Sequence, residues 1–243
     1  MIIAFAGRKQ SGKTTSSDFV KNIFESISKD YDLMNDLITF KYHSKWKKEI
    51  ALIAKEDNPK VILDIATGTG DIAINLSELK DSQIVGVDIS EKMLNIASEK
   101  IRNLNINNIK LEISHAEKLK YGNNFFDLIS IGYGVRNFED LISGLNESYR
   151  VLKNNGKLII LETSVPDNFL VRYMYLFFTS IYIPLISFIF TNNINAYKYL
   201  LNSTKEFPSK KKFKKILNSV GFKNIESRKK FFGISTIYIA TRP

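Results

Sequence analysis

Val61-Ile-Leu-Asp64-Ile-Ala-Thr67-Gly68-Thr69-Gly70-Asp71 is the stretch on which the reading of the fold turns. Its first five residues form the short apolar run of a strand buried on both faces. Gly68 and Gly70 then supply a tight turn that lets the backbone approach a ligand closely, and a helical pattern follows. Gly68 to Ala73 also satisfies a relaxed dinucleotide-binding fingerprint, a weak signal on its own. Asp88 strengthens it, because it closes the next apolar run 18 residues beyond Gly70, where a carboxylate can accept from both hydroxyls of a ribose.

Asp64 separates two kinds of adenosine cofactor. It places a negative charge four residues before Gly68, at the mouth where a dinucleotide would lay its pyrophosphate, and like charges repel there. S-adenosylmethionine carries an ammonium and a sulfonium instead of phosphates, so a carboxylate at that edge attracts it. The plainer alternative makes Asp64 a helix cap or the partner of a lysine.

Outward from this core, short apolar runs alternate with amphipathic stretches, the mark of repeated βα units. Strands are expected at Ile84 to Asp88, Ile109 to Ile113, Asp127 to Ile131 and Lys157 to Glu162, with two late ones at Ile225 to Lys230 and Ser235 to Thr241. Met93, Leu94, Ala97 and Ile101 recur at helical spacing from Glu91 to Leu104, and Asn105 stops that helix. A basic helix is expected over Lys210 to Val220. The fold class is α/β, a doubly wound Rossmann-like, seven-stranded and mostly parallel sheet.

With 243 residues and 44% hydrophobic content, the chain can bury one large core. The lack of cysteine removes disulfides, thiolate metal sites and cysteine nucleophiles, so no metal is expected and a cytoplasmic location is the default. The start lacks the basic-then-apolar order of a signal peptide. A formal charge of +10 suits any polyanion, nucleic acid or anionic bilayer alike.

Phe169 to Phe190, FLVRYMYLFFTSIYIPLISFIF, is long enough to cross a bilayer. A crossing would strand the last two strands on the far side from the first five. The segment therefore reads as a kinked helical cap within an insertion over residues 166–208, broken by Pro184, lying over an apolar pocket and against a membrane surface.

Several segments together resemble class I methyltransferases and, more narrowly, the menaquinone and ubiquinone biosynthesis C-methyltransferase family. They are Tyr31-Asp-Leu-Met-Asn35-Asp with His43 and Trp46, the glycine turn, Val87 to Leu94, Ala116-Glu117, Gly134-Val-Arg136-Asn137-Phe138, Glu162 to Pro166, and Tyr197 to Leu200 with Ser203 and Phe207-Pro208. The similarity runs from about Val20 onward. It implies that Thr69, Asp88, His115 and Ala116 bind the cofactor, the last two at the adenine edge, alongside Asp64, Gly68 and Gly70. The sequence departs from the family pattern at His115, where Asn or Asp is usual, and at Gly132, where a serine is common. The implied substrate is a polyprenyl quinol, demethylmenaquinol in the first instance and a 2-methoxy-6-polyprenyl-benzoquinol as the alternative. The implied setting is the cytoplasmic face of an anionic membrane, and a homodimer is compatible with it.

Methylating a quinol carbon calls for a base and for donors that stabilise a phenolate. Arg136 and Asn137, just past the fourth strand, supply donors, and Tyr31, His43 and Asp71 are the base candidates. The competing readings are a nucleic-acid methyltransferase, which lacks its Asn/Asp-Pro-Pro-aromatic segment here, a non-catalytic S-adenosylmethionine-binding protein, and a nucleotide kinase-like module. The last rests on Gly7-Arg-Lys-Gln-Ser-Gly12-Lys13-Thr14, a phosphate-loop pattern with no kinase fold behind it. Residues 1–16 are expected to be a leader without part in methyl transfer, ahead of a methyltransferase domain over 17–243.

Overall fold

The computed structural model describes residues 16–191 and 193–243, so the phosphate-loop pattern lies outside the described residues. Three helices come first, α1 (Ser17–Ile27), α2 (Tyr31–Thr39) and α3 (Tyr42–Lys55). Strands and helices then alternate through β1 (Val61–Ile65), α4 (Asp71–Leu76), β2 (Gln83–Asp88), α5 (Glu91–Asn103) and β3 (Ile109–Ile113). The second half holds β4 (Phe126–Gly132), α6 (Leu141–Val151), β5 (Leu152–Thr163), α7 (Phe169–Phe190), α8 (Ile194–Glu206), α9 (Lys210–Val220), β6 (Lys223–Lys230) and β7 (Ser235–Thr241).

The strands pair in the order β3-β2-β1-β4-β5-β7-β6, and only β7 runs against its neighbours. This is the mostly parallel seven-stranded sheet expected from the sequence. The strand order reverses between β1 and β4, which places the glycine turn after β1 at the switch point where such sheets bind ligands. β5 starts at Leu152, earlier than its apolar run suggests. Leu152 pairs with Phe126 across an irregularity, and Asn155 takes a left-handed φ of 63°, so the polar Asn-Asn-Gly stretch is a bulged strand start rather than a turn.

Side chains of β1 alternate between two cores. Leu63 and Ile65 pack with Ile129, Ile131 and the α9 residues Phe213 and Leu217, while Ile62 packs with Trp46 and Ile50 of α3 and Ile72 and Leu76 of α4. Full burial of each such side chain contributes about 1.5 to 3 kcal/mol. Ser90 caps α5 by accepting from the Met93 N–H, and Asn105 ends it in a left-handed conformation at φ 52°, the stop expected there.

The expectation of a helix broken at Pro184 is corrected, because α7 runs unbroken from Phe169 to Phe190. Proline forfeits one backbone bond, to the carbonyl of the exposed Ser180. Ile183 and Ile186, on either side of it, are buried in a third core with Ile27, Met34 and Tyr197, and this packing holds the helix line through the proline. Thr179, Ile183, Ile186 and Ser187 form the inward stripe, and most of the remaining surface of α7 is exposed and apolar.

Candidate active site

Two cavities meet at the carboxyl ends of β1, β2 and β4. The first is a cleft lined by Gly68, Asp88, Met93, His115, Ala116 and Asn137. The second is an apolar chamber of about 580 Å³ between the sheet and the helices α2, α7 and α8, with His43, Arg136, Phe178 and Tyr197 among its walls. Tyr31 and Tyr133 line both.

Asp88 organises the cleft. Its Oδ2 accepts from the backbone N–H of Gly68 and its Oδ1 from that of Ser90, each at 2.9 Å. Burial pushes its pKa up against these backbone donors. Gly68 adopts φ +57°, and a Cβ placed on it would meet nothing within 4 Å, so the turn leaves open space beside it. Ala116 is buried and His115 exposed along the same wall. At Gly132 a Cβ would stand 2.2 Å from Cδ1 of Ile72, the end of a side chain that would have to turn aside for it.

Three residues expected to bind the cofactor do not line the cleft. Asp64 does not line the cleft; it is buried beneath it, accepting hydroxyl protons from Thr67 and Ser130 at 2.6 Å each. Burial pushes its pKa up to about 6 despite those donors. Thr69 is also buried, and its hydroxyl donates to Asp32 of α2 at 2.7 Å. Gly70, at φ +84°, packs against Ala97 of α5, whose Cβ stands 3.0 Å from where a Cβ on Gly70 would be. These residues shape the turn from behind.

Asp71, named with Tyr31 and His43 as a base candidate, is tied up in ion pairs. Lys47 and Lys100 reach it at 2.7 and 2.8 Å, and against the effect of burial they hold its pKa down to about 2. It lines neither cavity. Lys100 also bridges Asp32, so a chain of charges fastens α2 and α3 over the glycine turn.

In the chamber wall, the Arg136 guanidinium donates through one nitrogen to Glu162 and to the Tyr133 carbonyl, while its Nε is buried without a partner. Burial opposes its charge, but the fully buried Glu162 outweighs that and raises its pKa. Asn137 donates to the Tyr133 carbonyl and accepts from the Tyr199 hydroxyl, on the cleft side. His43 is buried in the chamber wall with Nε2 2.9 Å from Asp36 Oδ1. Tyr133 escaped the sequence reading, although it stands in Gly132-Tyr-Gly134 just beyond β4, where sheet-end ligands are met.

A family model described as the ubiE/COQ5 methyltransferase family matches residues 10–242. Demethylmenaquinone methyltransferase of Bacteroides fragilis is 37% identical over 228 residues, 93% of this chain and 93% of that protein. Demethylmenaquinone methyltransferase of Chlorobaculum parvum is 36% identical over 95% of each chain. The ubiquinone/menaquinone biosynthesis C-methyltransferase UbiE of Geobacter sulfurreducens is 35% identical, covering 93% of this chain and 89% of its own. Among solved structures, a SAM-dependent methyltransferase from Thermotoga maritima superposes with a TM-score of 0.63 at 19% identity, over 91% of this chain and 99% of that one. Haemonchus contortus phosphoethanolamine N-methyltransferase 2, solved with S-adenosyl-L-methionine, gives 0.57 at 17% identity over 76% of this chain and 49% of that one. Those likenesses bear on the fold, whereas matches at 35% and above over nearly whole chains bear on kinship: this chain belongs to the ubiE/COQ5 methyltransferase family and is an S-adenosylmethionine-dependent methyltransferase.

Proposed function

We propose that the chain methylates a ring carbon of a polyprenyl quinol, demethylmenaquinol to menaquinol, with the methyl donor in the cleft and the quinol in the chamber. The observation that carries this reading is the shared wall: Tyr31 and Tyr133 line both cavities, so a ligand in one abuts a ligand in the other there. When bound, S-adenosylmethionine supplies an electrophilic methyl group. The protein's part is to align the ring behind it and exclude water.

Asp88 is suited to the ribose, His115 and Ala116 to the adenine, and the charge on Arg136 to a developing phenolate at the chamber end of the shared wall. Asn137, on the cleft side, orients Tyr133 and Tyr199. The apolar chamber suits a prenyl chain. The exposed face of α7, with Phe169, Phe177 and Phe188 outward, suits the surface of an anionic membrane on its cytoplasmic side, with the basic stretch at Lys210 to Lys215 toward headgroups.

The purified protein, labelled S-adenosylmethionine and reduced demethylmenaquinone in vesicles provide the test. Label is expected on the naphthoquinol ring and less on 2-methoxy-6-polyprenyl-1,4-benzoquinol. Preference for the benzoquinol would move the substrate to the ubiquinone branch, and label in RNA alone would overturn the reading.

A further inference from the structure

Replacing a ring C–H by C–CH₃ from a sulfonium donor releases one proton for each turnover, and the quinol must be ionised before its carbon attacks. That proton has to leave an apolar chamber. Among the described residues, the chamber wall contains no carboxylate and no lysine. Arg136 is a permanent cation. Burial raises the pKa values of Tyr133 and Tyr197, which keeps both phenols protonated.

His43 differs from all of these. It is 4% exposed in the chamber wall, and its Nδ1 is buried with no hydrogen-bond partner. Its Nε2 meets Oδ1 of Asp36, whose side chain is 35% exposed and lies outside the chamber lining. Among the described residues no lysine or arginine pairs with Asp36. A proton on Nε2 is fixed by that carboxylate, which leaves the lone pair on Nδ1. The dyad spans from the chamber wall to solvent.

Resting on the quinol reading of the chamber, we propose that His43 is the general base that takes the quinol hydroxyl proton on Nδ1, and that Asp36 orients it and passes the proton to solvent. The electron pair of the broken O–H bond stays on the ring oxygen. The adjacent ring carbon then bonds to the methyl group as the methyl–sulfur bond breaks, its electron pair remaining on sulfur. The hydrogen displaced from that carbon returns as a proton to the ring oxygen and restores the aromatic ring. One proton leaves for each turnover: the imidazolium formed on Nδ1 gives up its Nε2 proton through Asp36 to solvent, and a tautomer shift that moves the remaining proton from Nδ1 to Nε2 restores the base, so the charges balance. The surroundings favour a neutral imidazole: burial and Lys47 of its own helix lower the pKa of His43, against Asp36 of α2 and Asp71 of α4.

The test follows methyl transfer against pH, from about 5 to about 9, in the parent, His43→Gln and Asp36→Asn, with S-adenosylmethionine affinity measured by calorimetry and the fold by circular dichroism. In the parent, turnover should fall on the acid side as His43 protonates. His43→Gln should lose that acid limb and turn over about 10² to 10⁴ times more slowly near neutrality, with cofactor affinity unchanged. Asp36→Asn should keep a weakened limb displaced to lower pH, because the carboxylate that raises the histidine pKa is gone. The chain has only two histidines, one buried and one exposed, so the imidazole signal lost in His43→Gln identifies His43 by NMR. Its titration midpoint in the parent should coincide with the acid limb.

A parent that binds cofactor but methylates no quinol overturns the chamber reading, and the base assignment falls with it. A parent that methylates quinol while His43→Gln retains the acid limb overturns the base assignment alone. Should His43→Gln not fold, Asp36→Asn and the NMR midpoint decide, and an unmoved limb or a mismatched midpoint rejects the dyad.

Discussion

The Gly68 N–H and the Asp88 carboxylate hold each other at 2.9 Å across the ends of two paired strands, 20 residues apart in sequence. The acid that would receive a ribose thus also fixes the turn that makes room for it. Asp88→Ala removes both functions. The expected loss of S-adenosylmethionine affinity is about 1.5 to 3 kcal/mol, the scale of hydrogen bonds to a charged group. Calorimetry with unchanged affinity would take Asp88 out of the site.

Glu162 is fully buried and accepts from the guanidinium and backbone N–H of Arg136 and from Thr163. Removing its charge with Glu162→Gln leaves an uncompensated buried cation, and breaking such pairs costs about 3 to 5 kcal/mol. The double variant Arg136→Met with Glu162→Met should be less destabilised than Glu162→Gln by urea unfolding, though inactive. A smaller loss for the single variant would mean that water reaches the pair.

Asp64 carries a pH signature. Its pKa in the folded protein is raised to about 6, so the folded state binds more protons than the unfolded chain between about pH 4 and pH 6. Its contribution to stability therefore declines as pH rises through that window. Asp64→Asn lacks this titration, and its stability relative to the parent should rise by about 2 to 3 kcal/mol from pH 4 to pH 6 and level off outside. A stability difference that is flat in pH contradicts the assignment.

Neighbouring phenylalanines on α7 should behave differently. Phe177 is 62% exposed, whereas Phe178 lines the chamber and stacks on Tyr182 with ring centroids 4.4 Å apart. Phe177→Asp should weaken vesicle binding while sparing turnover of a short-chain quinol in detergent. Phe178→Asp should raise KM for long-tailed quinols, because each buried methylene contributes about 0.8 kcal/mol. Equal effects of the two on both assays would make α7 scaffold alone.

The sheet was legible because a strand buried on both faces is written as an apolar run, as in β1 and in the antiparallel β7, while the edge strand β3 alternates apolar with charged residues; all three lie where those patterns stand. Gly68 and Asp88 were legible for a related reason, since backbone geometry ties a glycine turn to the strands beside it. Spacing alone could not show which way Asp64 and Thr69 face. Asp64 turned out to be held from behind by Ser130, 66 residues away, and Thr69 by Asp32, 37 residues before it. The helices α1 to α3 carry no pattern that announces where they dock. Their placement over the turn depends on the charges of Lys47, Lys100, Asp32 and Asp71, contacts between segments that only the folded chain brings together.

The place of β7 in the sheet bears on how the protein is made. The strand latest in sequence is not at the rim but between β5 and β6, and it runs against both. While residues 235–241 are still inside the ribosome, β6 has no neighbour and one edge of β5, including the strand end that bears Glu162, is bare. The helices that roof the two cavities emerge before β7, over a floor whose outer half is completed only once that strand is in place.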